Sequence, residues 1–168
     1  MMQKGWKVGI AALLSALLAA CSPVSLLNLA VPRSGYHVVR DLAYGAAPSQ
    51  RLDLYVPDAP PPNMPVILFF YGGSWESGSK NLYLALGQAF ASKGIMVAVA
   101  DYRLFPQARY PAFLHDSAEA FAYVRAHAAR YGGDPARLFL AGHSAGAYNA
   151  MMLVADGAYA LQIGSSHR

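Results

Sequence analysis

Cysteine is almost absent from this chain. Its one thiol, Cys21, rules out any intramolecular disulfide framework. Charge is scarce as well: 13 basic and 9 acidic residues among 168. No like-charged run or basic stripe occurs, so no nucleic-acid partner is expected. The formal net charge of +4 owes two units to Lys4 and Lys7 at the N-terminus. No histidine–carboxylate–cysteine spacing matches a metal site, and no cofactor is implied. There is no internal repeat. What is present is apolar: 55% of the chain is hydrophobic, which excludes a disordered polymer and suffices for one packed core.

The apolar content begins with a targeting signal. Lys4 and Lys7 form a positive region, followed by the apolar run Val8 to Ala20, VGIAALLSALLAA. That run is too short to span a bilayer comfortably as a helix. It ends in LAAC, Leu18 to Cys21, which resembles the lipobox of bacterial lipoproteins. The resemblance implies cleavage before Cys21 and lipidation of its thiol, since several acyl chains on one residue anchor firmly where one does not. Ser22, by analogy, goes with sorting to the periplasmic face of the outer membrane in the bacterial cell envelope. An ordinary secretory signal or an uncleaved anchor is the alternative. Residues 1–20 are thus expected to be a signal peptide, 21–35 a tether, and 36–168 the folded unit.

Beyond the tether the pattern alternates between strands and helices. Residues 36–40 (YHVVR) and 51–56 (RLDLYV) read as a hairpin across a turn-rich linker. The proline-rich stretch 58–65 excludes helix and central strand. VILFFY, residues 66–71, is an unbroken apolar run of strand length, as expected of a strand buried on both faces. Ser79 is placed to cap a helix over 80–93, with Leu82, Leu86, Ala89 and Phe90 on one side and Gly94 as its stop. IMVAVA, 95–100, is a second buried-type strand. A long helix is expected over 111–131, stopped by Gly132-Gly133. Residues 137–141 form a third buried-type strand, and 145–155 are helical. This alternation argues for βαβ units in a three-layer α/β architecture with a mostly parallel sheet.

Gly142-His143-Ser144-Ala145-Gly146 falls between that third strand and the last helix. Strand, G-x-S-x-G, helix is the context in which a serine sits on a sharp turn with its hydroxyl exposed as a nucleophile. The N–H of Ala145 then faces a developing oxyanion. The competing reading is a small-residue helix start with a capping serine. Tyr71-Gly72-Gly73-Ser74-Trp75 ends the first buried strand. Its double glycine allows backbone N–H groups close to a substrate oxygen, with Gly73 the first choice of donor, then Gly72 or Ser74. Here the competing reading is a plain strand-ending turn.

FFYGGSWESGSK, DYRLFPQARYPAFLHD and GGDPARLFLAGHSAGAYNA together resemble the α/β-hydrolase superfamily. They are most similar to its esterase/lipase branch, which holds feruloyl-esterase-like and hormone-sensitive-lipase-like carboxylesterases. The resemblance covers about residues 36–155. It implies an α/β-hydrolase fold, of which this chain carries the N-terminal part, and a serine esterase acting through an acyl-enzyme on a small-molecule ester. Tyr71 departs from the pattern, because many of these enzymes have histidine there. The alternatives are an amide hydrolase of the same superfamily and a non-catalytic envelope lipoprotein that reuses the core as an interaction module.

Other polar residues have plainer expected roles. Asp101 and Arg103 suit a structural ion pair or turn, and Asp116 and Glu119 a solvated helix face or local cap. Asp134 suits a turn. His143 is expected to point away from the serine, and His37, His115 and His127 to serve surface or packing roles. A triad serine needs an imidazole within hydrogen-bond reach and a carboxylate to orient it, in the chain order serine, acid, histidine. After Ser144 come only Asp156 and His167. A helix over 145–155 carries Asp156 about 16 Å from the serine at ~1.5 Å per residue, and His167 is the penultimate residue. The expectation is a chain that stops short of the segments supplying acid and base, with the serine-bearing strand left at a sheet edge.

Overall fold

The structure, a computed structural model, describes Asn28 and residues 30–156. The signal peptide, Cys21 and His167 lie outside the described residues. Five strands form one sheet in the spatial order β1-β2-β4-β3-β5. They are β1 (Tyr36–Ala43), β2 (Arg51–Pro57), β3 (Met64–Phe70), β4 (Met96–Ala100) and β5 (Gly133–Gly142). β3 runs parallel to both β4 and β5, while β2 is antiparallel to β1 and β4. Four of the five strands therefore point the same way. Among the described residues the α-helices packed with the sheet are α1 (Leu84–Ala91), α2 (Ala112–His127) and α3 (Ala145–Ala155).

The chain path decides where the helices lie. From β3 it passes through α1 to β4 on one side, then returns through α2 to β5 on the other side of β3. Right-handed crossovers taken in opposite directions put their helices on opposite faces. Accordingly α1 packs over β2 and β4, and α2 and α3 pack against each other and over β3 and β5. All five residues of β4 are buried, as a strand covered on both faces requires. The reversal of direction about β3 makes the carboxyl ends of β3 and β5 the place where sheets of this topology bind ligands.

Several boundaries differ from the sequence expectation. The 80–93 helix divides into a 3-10 turn, Lys80–Tyr83, and α1. Ser79 caps the 3-10 turn, its hydroxyl accepting from the Asn81 N–H at 3.2 Å. The long helix ends as α at His127 and continues as a 3-10 turn over Ala128–Tyr131, closed by Gly132 at φ 82°. β5 begins at Gly133 rather than 137, because Gly133 pairs with Met64 before the register shifts ahead of Leu138. The Asp134 carboxylate fills that irregularity by accepting from the Ala136 N–H at 2.9 Å.

The carboxylates bring the larger corrections. Asp116, expected on a solvated helix face, is completely buried. It accepts from the Arg103 guanidinium at 2.6 Å and backbone N–H at 2.8 Å, and from the Gln50 amide at 2.9 Å. Glu119 accepts from the same Gln50 amide at 2.6 Å. Arg103 thus pairs with Asp116 rather than its neighbour Asp101, which accepts from the Lys80 N–H at 2.7 Å. Lys80 is itself buried, between Asp41 at 2.7 Å and Asp53 at 2.8 Å. Asn28, from the expected tether, is tied to the start of α1, accepting from the Ala85 N–H at 3.2 Å. Among the described residues no helix is long and apolar enough to cross a membrane.

Candidate active site

The turn after β5 is shaped by its glycines. The His143 N–H donates to the Phe70 carbonyl at 3.1 Å, prolonging the β3–β5 ladder by one rung. The chain then reverses at Ser144, φ 52° and ψ −118°, a region that non-glycine residues populate sparsely. The Gly146 N–H closes the turn on the His143 carbonyl at 2.9 Å. A Cβ on Gly146 would lie 2.1 Å from the Phe70 carbonyl oxygen, and one on Gly142 2.3 Å from the Gly146 oxygen. Strand and helix can approach this closely only with glycine at both positions.

Ser144 is exposed and makes no side-chain capping bond, although it occupies the N-cap of α3. The capping-serine reading is therefore set aside. Ala145, directly after it, is buried. Its N–H belongs to the first turn of a helix, whose amides lack an internal acceptor.

The loop after β3 lies on this turn. A Cβ on Gly72 would sit 2.8 Å from the His143 carbonyl oxygen and 2.9 Å from Ser144 Cβ. Gly73 has φ 127°, and its carbonyl accepts from the N–H groups of Glu76 and Ser77 at 2.9 and 3.1 Å. The structure thus brings together all four residues singled out around the motif: Gly72, Gly73, Ser144 and Ala145. His143 is exposed, and its ring touches the loop at Gly72.

Tyr102 supports the loop from beneath and was not singled out in the sequence. Its hydroxyl donates to the Tyr71 carbonyl at 2.6 Å, and the two rings stack at 4.7 Å. Burial, reinforced by the Asp101 carboxylate, holds the phenols of both Tyr71 and Tyr102 well above the ordinary tyrosine value. Tyr102 therefore remains a donor. The available signal was a tyrosine two residues past a buried strand, since a buried Tyr hydroxyl needs a partner.

Among the described residues no histidine and carboxylate that follow Ser144 in the chain are brought to it. Asp156 is the C-cap of α3, at the far end of the helix from Ser144. His37 pairs with Asp58 at 3.0 Å on β1, at the opposite edge of the sheet from β5. His127 bonds the Tyr123 carbonyl at 2.7 Å. Among the described residues no three histidine, cysteine or acidic side chains are grouped to hold a metal. β5 has β3 as its one partner strand among the described residues, and Phe139, Met151 and Val154 stand exposed along that side.

A largely parallel sheet with a serine turn after β5 and a glycine loop after β3 defines an α/β-hydrolase fold. The BD-FAE family model matches residues 52–161, and the chain belongs to that family. Over 111 residues it is 43% identical to the probable isoprenylcysteine alpha-carbonyl methylesterase ICMEL1 of Oryza sativa subsp. japonica, covering 66% of this chain and 26% of that protein. It is 37% identical over 109 residues to the carboxylesterase NlhH of Mycobacterium tuberculosis, covering 64% of this chain and 34% of the relative. Among solved structures, esterase B of Lactobacillus rhamnosis superposes with a TM-score of 0.73 at 22% identity, over 94% of this chain and 52% of that one. The chain therefore matches 26% to 34% of the length of these curated relatives.

Proposed function

We propose that Ser144 is the nucleophile of a carboxylesterase that works through an acyl-enzyme. The observation that carries this reading is the serine itself: strained at φ 52°, exposed, and not capping the helix it begins. A turn that costs about 1–3 kcal/mol of backbone strain persists where the displayed group has a use. In this reading Ser144 Oγ attacks the ester carbonyl carbon while its proton passes to a base. The carbonyl electrons move onto oxygen, and the N–H groups of Gly73 and Ala145, or of Gly72, hold that oxyanion. Collapse expels the alcohol and leaves an acyl-serine, which water then hydrolyses. The relatives named for carboxylic-ester hydrolysis support the substrate class.

The imidazole and its carboxylate come, in this reading, from outside the described residues. Because the match spans only 26% to 34% of the curated relatives, the full-length gene product is the form to assay. Replacing Ser144 by alanine in it should lower p-nitrophenyl butyrate hydrolysis by on the order of 10⁴-fold or more. Hydrolysis that survived the substitution would contradict the assignment. Lipidation of Cys21, placing the enzyme in the bacterial cell envelope, belongs to the same proposal. Palmitate supplied to growing cells should label the parent and leave Cys21→Ser unlabelled, and labelling of the variant would remove the anchor.

A further inference from the structure

Backbone donors on a loop stabilise an oxyanion only if the loop holds them at a fixed place relative to the nucleophile. Here the loop is intrinsically strained. Gly73, Ser74 and Trp75 follow one another at φ 127°, 56° and 60°, and two of the three are not glycine. Such a run persists only where its surroundings over-determine it. Tyr102 grips the start of the loop through the Tyr71 carbonyl. The far end is gripped from α3.

The Trp75 indole N–H donates to Asn149 Oδ1 at 2.9 Å. Asn149 is completely buried, five residues after Ser144 on the same helix. Its amide N–H donates to Ser117 Oγ at 3.2 Å, and the Ser117 hydroxyl donates to the Phe113 carbonyl at 2.8 Å. The Trp75 ring stacks on Phe113 at 5.0 Å and meets Tyr148 edge-on at 5.5 Å. The Phe105 N–H donates to the Trp75 carbonyl at 2.7 Å. A buried amide between helices is costly unless its polar atoms are engaged, and here both ends are. An aliphatic residue would fill the same space without that requirement, so the polar choice points to Trp75.

We propose that Asn149 is a positioning residue for the oxyanion loop. By holding the Trp75 indole from the helix that begins at Ser144, it fixes the Gly72–Gly73 amides relative to the serine oxygen. The inference rests on the catalytic reading of Ser144 and adds to it the part that sets the geometry.

The test uses the full-length gene product and p-nitrophenyl butyrate. Asn149→Leu keeps the volume and loses the acceptor. It should lower kcat tenfold to a hundredfold, on the order of what a misplacement of about 1 Å costs, with KM within about twofold of the parent. Trp75→Phe keeps an aromatic ring against Phe113 and loses the N–H together with part of the indole surface, so it should lower kcat at least as much. It also carries the test alone if Asn149→Leu does not fold. Combining the two should be no worse than either, as for groups acting in one contact. Amide hydrogen exchange over 71–78 should rise in both variants while β3 and β4 keep the parent rates. Unchanged exchange in the loop, a raised KM with kcat retained, or additive losses would overturn the assignment. Failure of the catalytic reading shows separately, as hydrolysis by the parent that survives Ser144→Ala.

Discussion

Two tight turns meet at Ser144, and they are held in different ways. The turn after β5 is held by backbone alone, its own and that of β3. Five consecutive residues, Gly142 to Gly146, fix its shape through backbone bonds and through glycines that admit no side chain. The loop after β3 is braced from a distance, by Tyr102, separated by 31 residues from its partner Tyr71, and by Asn149, separated by 74 from Trp75. The first is a backbone solution that displays a hydroxyl. The second is a tertiary solution that aims backbone amides. Substitutions in the first should damage folding, and those in the second should damage rate before stability.

The largest expected effect is Gly146→Ala. Its Cβ would meet backbone of β3 that cannot move without breaking the sheet, so the variant should lose about 3 kcal/mol or more in urea unfolding. By contrast Gly73→Ala clashes with the Ser77 carbonyl inside its own loop, 2.2 Å away. It should unfold at a urea concentration closer to the parent's, while ester hydrolysis falls on the order of 10²-fold. Equal stability losses in the two variants would erase the contrast between the turns.

Next comes Arg103→Leu. It leaves the buried Asp116 carboxylate without its guanidinium and loosens the segment that carries Tyr102. Part of the arginine is exposed, so a loss of about 2 kcal/mol is expected rather than the larger cost of a fully enclosed pair. Urea unfolding measures it. Tyr102→Phe, which removes one hydrogen bond at the base of the loop, should cost about 1 kcal/mol and lower kcat with little change in KM.

The smallest effect concerns the body of the sheet. Burial, with the Asp53 charge, pushes the Tyr55 phenol from 10.0 to about 12. The folded state thus favours the neutral phenol. Its contribution is complete below pH 10.0 and disappears as pH rises toward about 12. Unfolding midpoints followed across that interval should decline in the parent and decline less steeply in Tyr55→Phe. Equal slopes would remove Tyr55 from the alkaline transition.

This contrast also explains what was legible in the sequence. The strand order of events, the hairpin of β1 and β2, the buried runs of β3 and β4 and the serine turn all follow from local signals: apolar runs, glycine placement and periodicity. The glycine loop was recognisable as well, because a double glycine ending a buried strand marks close approach. Its braces were not. Nothing near Asp116 signals Gln50 or Arg103 as partners, and nothing near Asn149 signals Trp75. Asn149 meets Trp75 only after β5 has crossed to lie beside β3, and Asp116 meets Gln50 and Arg103 only once α2 packs back over the sheet. The expectation of a solvated face or local cap for Asp116 rests on its charge, although helical spacing sets it between Phe113 and Ala120 on the buried face; the partners that make its burial possible come from distant segments. The early start of β5 has a similar origin, since its irregular register with β3 is set by pairing and not by the apolar run alone.

The central claim is that the hydroxyl of Ser144 is the reacting group. A fluorophosphonate, which bonds covalently to activated serines, tests it most directly when applied to the full-length gene product and read by peptide mass mapping. A single adduct on Ser144 is expected, lost in Ser144→Ala and formed more slowly in Asn149→Leu. An adduct on a different residue, or an unmodified Ser144 in a preparation that hydrolyses esters, would contradict it.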